Sequence, residues 1–136
     1  MNKPVPTTSG TTSFAVWPVG RVLEERDGDL QIIEIDPQYE AALSGIDERS
    51  HLWVLFWFDR QPDRETLQAH PRGDTTRPRQ GVFSLRSPMR PNLIGLTRVQ
   101  LRRVSGRRLF VQGLDALPGT PIIDLKPATE GAPAPD

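Results

Sequence analysis

Two histidines, His51 and His70, and no cysteine are all the sequence holds of the side chains that most often do acid–base, nucleophilic and metal chemistry near neutral pH. That stock excludes a great deal. A Ser-His-acid hydrolase needs its nucleophile on a sharp elbow, and no G-x-S-x-G stretch is present. Thiolate zinc sites and H-E-x-x-H helices are absent, so no metal is expected. Neither a P-loop nor G-x-G-x-x-G occurs, which removes the common phosphate cradles. His51 opens an apolar run and reads as a hydrogen-bonded structural residue before it reads as an acid–base group. What remains is the dense run GVFSLRSPMRPNLIGL, residues 81–96. Pro88 and Pro91 fix the backbone and remove two amide donors, so the segment must leave any sheet after Arg86 and rejoin near Ile94. The resulting stiff loop either presents a preorganised polar pocket or forms a proline-rich corner with a solvent-facing pair, Arg86 and Arg90.

The elements that would position this loop follow from composition and pattern. The chain has 136 residues with 17 basic and 17 acidic side chains, enough for one compact domain. The balanced charge conceals a partition: residues 24–65 carry 12 acids and four Arg, whereas residues 72–108 carry ten Arg and one acid, Asp74. Either the halves satisfy each other, within the fold or across a dimer, or the basic half meets an anionic partner. Only Lys3 and Lys126 are lysines; the Arg-dominated remainder favours planar, bidentate contacts. Apolar runs at 14–23, 30–35, 52–58, 82–85, 96–104, 109–111 and 122–125 are short and rich in β-branched and aromatic residues, as strands are. Asp27-Gly28-Asp29, Ser105-Gly106 and Pro118-Gly119 mark turns. One helix is predicted over 37–43, with Asp36 as cap and Pro37 in the first turn. The fold class is therefore all-β, a small single-domain barrel of about seven short strands with one short helix. Residues 1–13 and 128–136 read as flexible tails around a domain at 14–127, and the polar stretch 61–80, with three prolines, reads as a functional or mobile loop. Trp17, Trp53 and Trp57 lie in or beside apolar runs and read as buried, which leaves the Arg-rich surface without aromatics for stacking on bases. No apolar stretch is long enough for a membrane helix and no secretion signal is visible, so a cytoplasmic protein with no membrane partner is expected.

Three blocks, SHLWVLFWF (50–58), GVFSLRSPMRPNLIGL (81–96) and GLDALPGTPIIDLKP (113–127), resemble in order and spacing the signature blocks of the TrmO-type tRNA methyltransferases, the TsaA-like or YaeB-like family. PVGRV (18–22) and IEIDPQYEAALSGID (33–47) resemble weaker stretches. The resemblance implies a small barrel that binds S-adenosyl-L-methionine without a Rossmann fold, works as a homodimer, and methylates N6 of threonylcarbamoyladenosine beside the tRNA anticodon. It places cofactor contacts at Asp59, Arg60, Arg86, Leu96, Leu114, Asp115, Ala116 and Leu117. Ser87, Arg90 and Asn92 would shape the loop or meet the RNA, and Asp124 and Lys126, in the D-x-K-P motif, would stand on the catalytic side. Such a cofactor needs apolar walls, a carboxylate or carbonyls near its ribose or sulfonium, and a cation for its own carboxylate. Asp115 suits the polar need and Arg86 or Arg60 the cationic one. Methyl transfer from a sulfonium asks for in-line positioning and removal of one proton, which suits a chain so poor in titrating groups. Asp124 can orient or accept that proton and Lys126 can hold a phosphate or the substrate carboxylate; equally, the two can be a strand-end ion pair.

The sequence departs from the family at four places. Ala128 replaces the Tyr after D-x-K-P, Leu93 replaces the second Pro of R-P-N-P, Pro118 replaces the Asp of D-G-T-P, and R-S-P is missing after Gly20. The match ends near Pro127, so any grip on tRNA is expected from the Arg-rich half or a second subunit. The reading is an S-adenosyl-L-methionine-dependent N-methyltransferase with tRNA as leading substrate. The alternatives are a cofactor- or RNA-binding barrel without transfer, and a methyltransferase for another small substrate.

Overall fold

The computed structural model describes residues 5–6, 12–60 and 62–129. Its strands are β1 (Val5–Pro6), β2 (Thr12–Ser13), β3 (Gly20–Asp27), β4 (Leu30–Ile35), β5 (His51–Trp57), β6 (Gln68–Ala69), β7 (Gln80–Gly81), β8 (Ile94–Ser105), β9 (Arg108–Gln112) and β10 (Pro121–Ala128). Six of them close into an antiparallel barrel in the order β10-β3-β4-β9-β8-β5, and β1/β2 and β6/β7 form separate two-stranded ribbons. Most of the two expected tails lies outside the described residues, and β10 runs through Ala128.

Six of the seven predicted strand runs supply the barrel. The run at 82–85 does not: it winds into a 3-10 turn, Val82–Ser84, with the Leu85 amide donating to the Val82 carbonyl at 3.1 Å. The run at 14–23 becomes strand only from Gly20, beyond Pro18. The helix predicted at 37–43 is a 3-10 helix, Pro37–Leu43; Asp36 stands at its cap position, but its side chain makes no capping bond, and the Tyr39 amide instead donates to the Asp36 carbonyl at 3.0 Å. Hairpins β3/β4 and β8/β9 turn through two residues each, the first being Gly28 (φ 58°) or Gly106 (φ 60°), as a type II′ turn demands.

Strand β5 alternates strictly. Leu52, Val54 and Phe56 are buried inside the barrel with Val99, Leu109, Val111 and Ile122, and the intervening residues face outward. Trp53 and Trp57 are therefore half-buried on the outer surface and Trp17 is exposed, which corrects the expectation of buried tryptophans. The run HLWVLFW is apolar on both faces, so alternation is invisible in its composition. Phe56 lies opposite Gly95, and a Cβ on Gly95 would stand 2.4 Å from its ring. Only a glycine admits that contact.

Two bulges re-aim side chains. On β10, Ile122 pairs with Phe56 but Asp124 pairs with Leu55, so one extra residue is accommodated between them. Ile122 and Asp124 share parity and without the bulge both would point into the core. On β8 the shift between Leu101 and Arg103 turns Arg103 outward, where its guanidinium lies 3.7 Å over the Phe110 ring and 2.7 Å from Asp27.

The opposite charges of the two halves meet on the barrel wall. Glu34 accepts from Arg21 at 2.9 Å and from Arg108 at 3.0 Å, and Arg108 also reaches Glu25 at 3.3 Å. The hydrogen bond from Arg108 holds the Glu34 carboxyl below its usual range. The 62–93 connection is organised by its own acids: Asp63 accepts from the Thr66 hydroxyl (2.6 Å) and the Thr66 and Glu65 amides, and Asp74 accepts from the Thr76 hydroxyl (2.6 Å) and amide. Among the described residues no helix is long and apolar enough to cross a membrane, and no group of three His, Asp or Glu could hold a metal.

Gly95→Ala should destabilise the barrel by about 1–3 kcal/mol through overpacking against Phe56, read as a lower midpoint in denaturant unfolding with unchanged m-value. The Asp63 and Asp74 carboxyls are both lowered, first by the threonine hydroxyls and then by amides. A depressed folded value means their ordering contribution is present above the unfolded value and is lost as pH falls through the folded one. Amide exchange at Glu65, Thr66 and Thr76 should therefore quicken below about pH 4 while the barrel amides stay protected.

Candidate functional site

The outward residues of β8, β5 and β10 form cross-strand rows. Ile94 opposes Trp57; Leu96, Leu55 and Asp124 form one row; Arg98, Trp53 and Lys126 form the next. Directly opposed residues share a face, and two strand spacings set Leu96 and Asp124 about 9–10 Å apart. Ile94 and Leu96 are each 37% exposed, so an apolar strip is open to solvent, with charged groups at its margins.

On one margin, Arg86 donates to the Leu96 carbonyl. This joins two residues that the resemblance assigned to the cofactor. A guanidinium has five N–H donors, so this bond leaves others for an anion. The loop beneath is braced: Arg90 donates to the Leu85 carbonyl at 3.0 Å and the Ser87 carbonyl at 3.1 Å, its amide donates to the Asp63 carbonyl at 3.0 Å, and the Ser87 hydroxyl accepts from the Met89 amide at 3.2 Å. Ser87 and Arg90 thus turn part of their polar groups onto the loop itself. Asn92 keeps an exposed side chain while its carbonyl accepts from Ile94.

On the opposite margin, Lys126 Nζ lies 3.3 Å from Asp124 Oδ2, and the other carboxylate oxygen accepts the Leu125 amide at 2.8 Å. The side chains are 50% and 61% exposed, so this pair contributes little to stability. Beyond β10 lies a groove of about 340 Å³ under Pro37–Leu43, lined by Val19, Tyr39, Leu43, Ile46, Asp124 and Lys126 among others. Asp124 and Lys126 therefore stand between the apolar strip and this groove.

A third group assembles where β5 ends. Arg60 lies 4.0 Å from Asp59 and donates to the Pro118 carbonyl, which ties residues 59–60 to the 113–120 segment. Within that segment Leu114 is buried in the core and Ala116 packs against it, its carbonyl accepting from Gln31 at 2.9 Å. Asp115 and Leu117 are exposed. The structure thus brings Arg86 to Leu96, aligns Leu96 with Asp124, and joins Arg60, which lies beside Asp59, to the Pro118 carbonyl. It turns the Leu114 side chain away from solvent. Sequence reasoning missed Leu55, Trp53 and Trp57, which form the strip's floor; their signal lay in the parity of β5 against Leu52, Val54 and Phe56. It also missed the groove residue Tyr39.

The family profile for the tRNA-methyltransferase O N-terminal domain matches residues 21–132. A probable S-adenosyl-L-methionine-binding protein of Methanocaldococcus jannaschii is 36% identical over 116 residues, covering 83% of this chain and 90% of that protein. The human tRNA (adenine(37)-N6)-methyltransferase is 39% identical over 88 residues, covering 65% of this chain but 20% of the relative. Among solved structures, TrmO from Pseudomonas aeruginosa superposes with TM-score 0.66 at 29% identity, over 86% of this chain and 56% of that one. A second TrmO crystal structure gives 0.67 at 27% identity, over 86% and 58%. The chain thus spans little more than half of each TrmO chain. With that match running through β3 to β10, the chain belongs to the family of the tRNA-methyltransferase O N-terminal domain.

Proposed function

We propose that this chain is an S-adenosyl-L-methionine-dependent N-methyltransferase whose acceptor is N6 of threonylcarbamoyladenosine next to the tRNA anticodon. The observation that carries the reading is the row running from Arg86 and Leu96 across Leu55 to Asp124. Its chemistry suits the cofactor. An exposed apolar strip offers a wall for adenine, Arg86 has donors left for a carboxylate, and Asp115 supplies an exposed acceptor near the Arg60-anchored segment. Bound there, the cofactor supplies an electrophilic methyl group on a sulfonium. Arg86 and Arg60 bind and orient; the buried Leu114 and Ala116 set the backbone of the segment that carries Asp115. Asp124 accepts the proton that leaves the acceptor nitrogen, and Lys126, 3.3 Å away, orients that carboxylate or meets a neighbouring phosphate.

A homodimer and a cytoplasmic site of action belong to the same proposal. The binding-module alternative is favoured by Ala128 and Pro118, which stand where the family signature has Tyr and Asp; methyl transfer to tRNA lacking the modification separates the two.

Arg86→Ala should weaken binding of S-adenosylhomocysteine by about 1–3 kcal/mol in calorimetry and leave RNA affinity nearly unchanged; equal losses contradict the assignment. Asp124→Asn should lower kcat by roughly 100-fold with cofactor affinity retained, and an unchanged kcat removes Asp124 from proton transfer.

A further inference from the structure

The 62–93 connection ends in a built ribbon. Gln68 pairs with Gly81 and Ala69 with Gln80, the Val82 amide donates to the Leu67 carbonyl at 2.9 Å, and the turn between the strands is tied by His70 Nδ1 and the Arg77 carbonyl at 2.8 Å. Pro71 and Val82 are buried and anchor it. The next residue is not anchored: Phe83 is 82% exposed, and Leu67, across from Val82, is 63% exposed. A bulky aromatic held outward on a hydrogen-bonded turn is an unused apolar surface.

The charge around it is equally unspent. The barrel's Arg21, Arg103 and Arg108 are matched by Glu34, Asp27 and Glu25. On the ribbon, Arg72, Arg77 and Arg79 are exposed, and among the described residues no carboxylate lies within ion-pair distance of them. Of the connection's described acids, Asp63 and Asp74 are turned onto threonine hydroxyls and amides, and the exposed Glu65 lies outside ion-pair distance of all three. An exposed aromatic at the open end of a short ribbon whose turn carries unneutralised guanidinium groups suits an extended single-stranded nucleic acid: a base stacks on the ring, and cations further along meet the phosphates.

We infer that the ribbon 67–83 is an arm that grips single-stranded RNA, a base stacking on Phe83 while Arg72, Arg77 and Arg79 meet flanking phosphates. The inference rests on the proposed tRNA chemistry and assigns it a substrate-gripping element outside the cofactor strip. The test is anisotropy of a labelled anticodon stem-loop, and of a labelled RNA duplex, with the full chain. Phe83→Ala should weaken stem-loop binding roughly 5- to 150-fold, Phe83→Tyr should restore it, and duplex binding should not respond. Replacing Arg72, Arg77 and Arg79 by Gln should weaken both RNAs and flatten the salt dependence by about 0.7 in log–log slope per lost phosphate contact. Calorimetry with S-adenosylhomocysteine should be unchanged in every variant. RNA binding by a chain that fails to bind this ligand supports the arm and sinks the proposed chemistry. Stem-loop affinity unaffected by Phe83→Ala, no RNA binding by the parent chain, or sedimentation in which Phe83→Ala only splits a dimer, overturns the arm.

Discussion

Strand β5 has to satisfy two environments at once, and the period of two residues decides how. Leu52, Val54 and Phe56 fill the barrel, and this commits Trp53, Leu55 and Trp57 to the outside. A slip of one residue would exchange the sets, exposing the core and burying two indoles. Register is held by neighbours on both sides, with β8 paired over the whole of β5 and the Phe56 ring seated on Gly95. The apolar strip is thus a by-product of building the core. The β10 bulge adds the one group that alternation alone would have hidden, since it turns Asp124 out beside Leu55.

Much of this was legible in the residues. Short β-branched runs, two glycine-led hairpins and the loop bracketed by Pro88 and Pro91 led directly to the barrel and to the point where β8 begins. Cross-strand facts were harder to read. HLWVLFW has no polar face, so the outward position of its tryptophans depends on pairing partners that are distant in sequence. The bulge at 122–124 has no local signature, because Ile-Ile-Asp-Leu-Lys fits regular alternation until its register with β5 is known. Leu114 shows the limit of carrying a site over by position: its neighbour Asp115 is exposed, and Leu114 itself belongs to the core.

The charge partition resolves in the same way. On the wall, acids of β3 and β4 meet arginines of β3, β8 and β9, and Glu34 alone takes two, Arg21 and Arg108. These contacts are exposed or partly exposed, so their main effect is to neutralise that surface rather than to hold the fold. Positive charge is left on the 62–93 connection and at one margin of the strip, where Arg86 bonds the carbonyl of the exposed Leu96. An exposed apolar strip with a guanidinium at its margin suits the adenine ring and the carboxylate of the proposed cofactor.

The central claim is that this strip is where the cofactor sits. Backbone resonances followed during titration with S-adenosylhomocysteine test it most directly. The account predicts shifts concentrated at Leu55, Leu96, Arg60 and residues 115–117. Shifts confined to the groove beneath Pro37–Leu43, or none at saturating ligand, would contradict it.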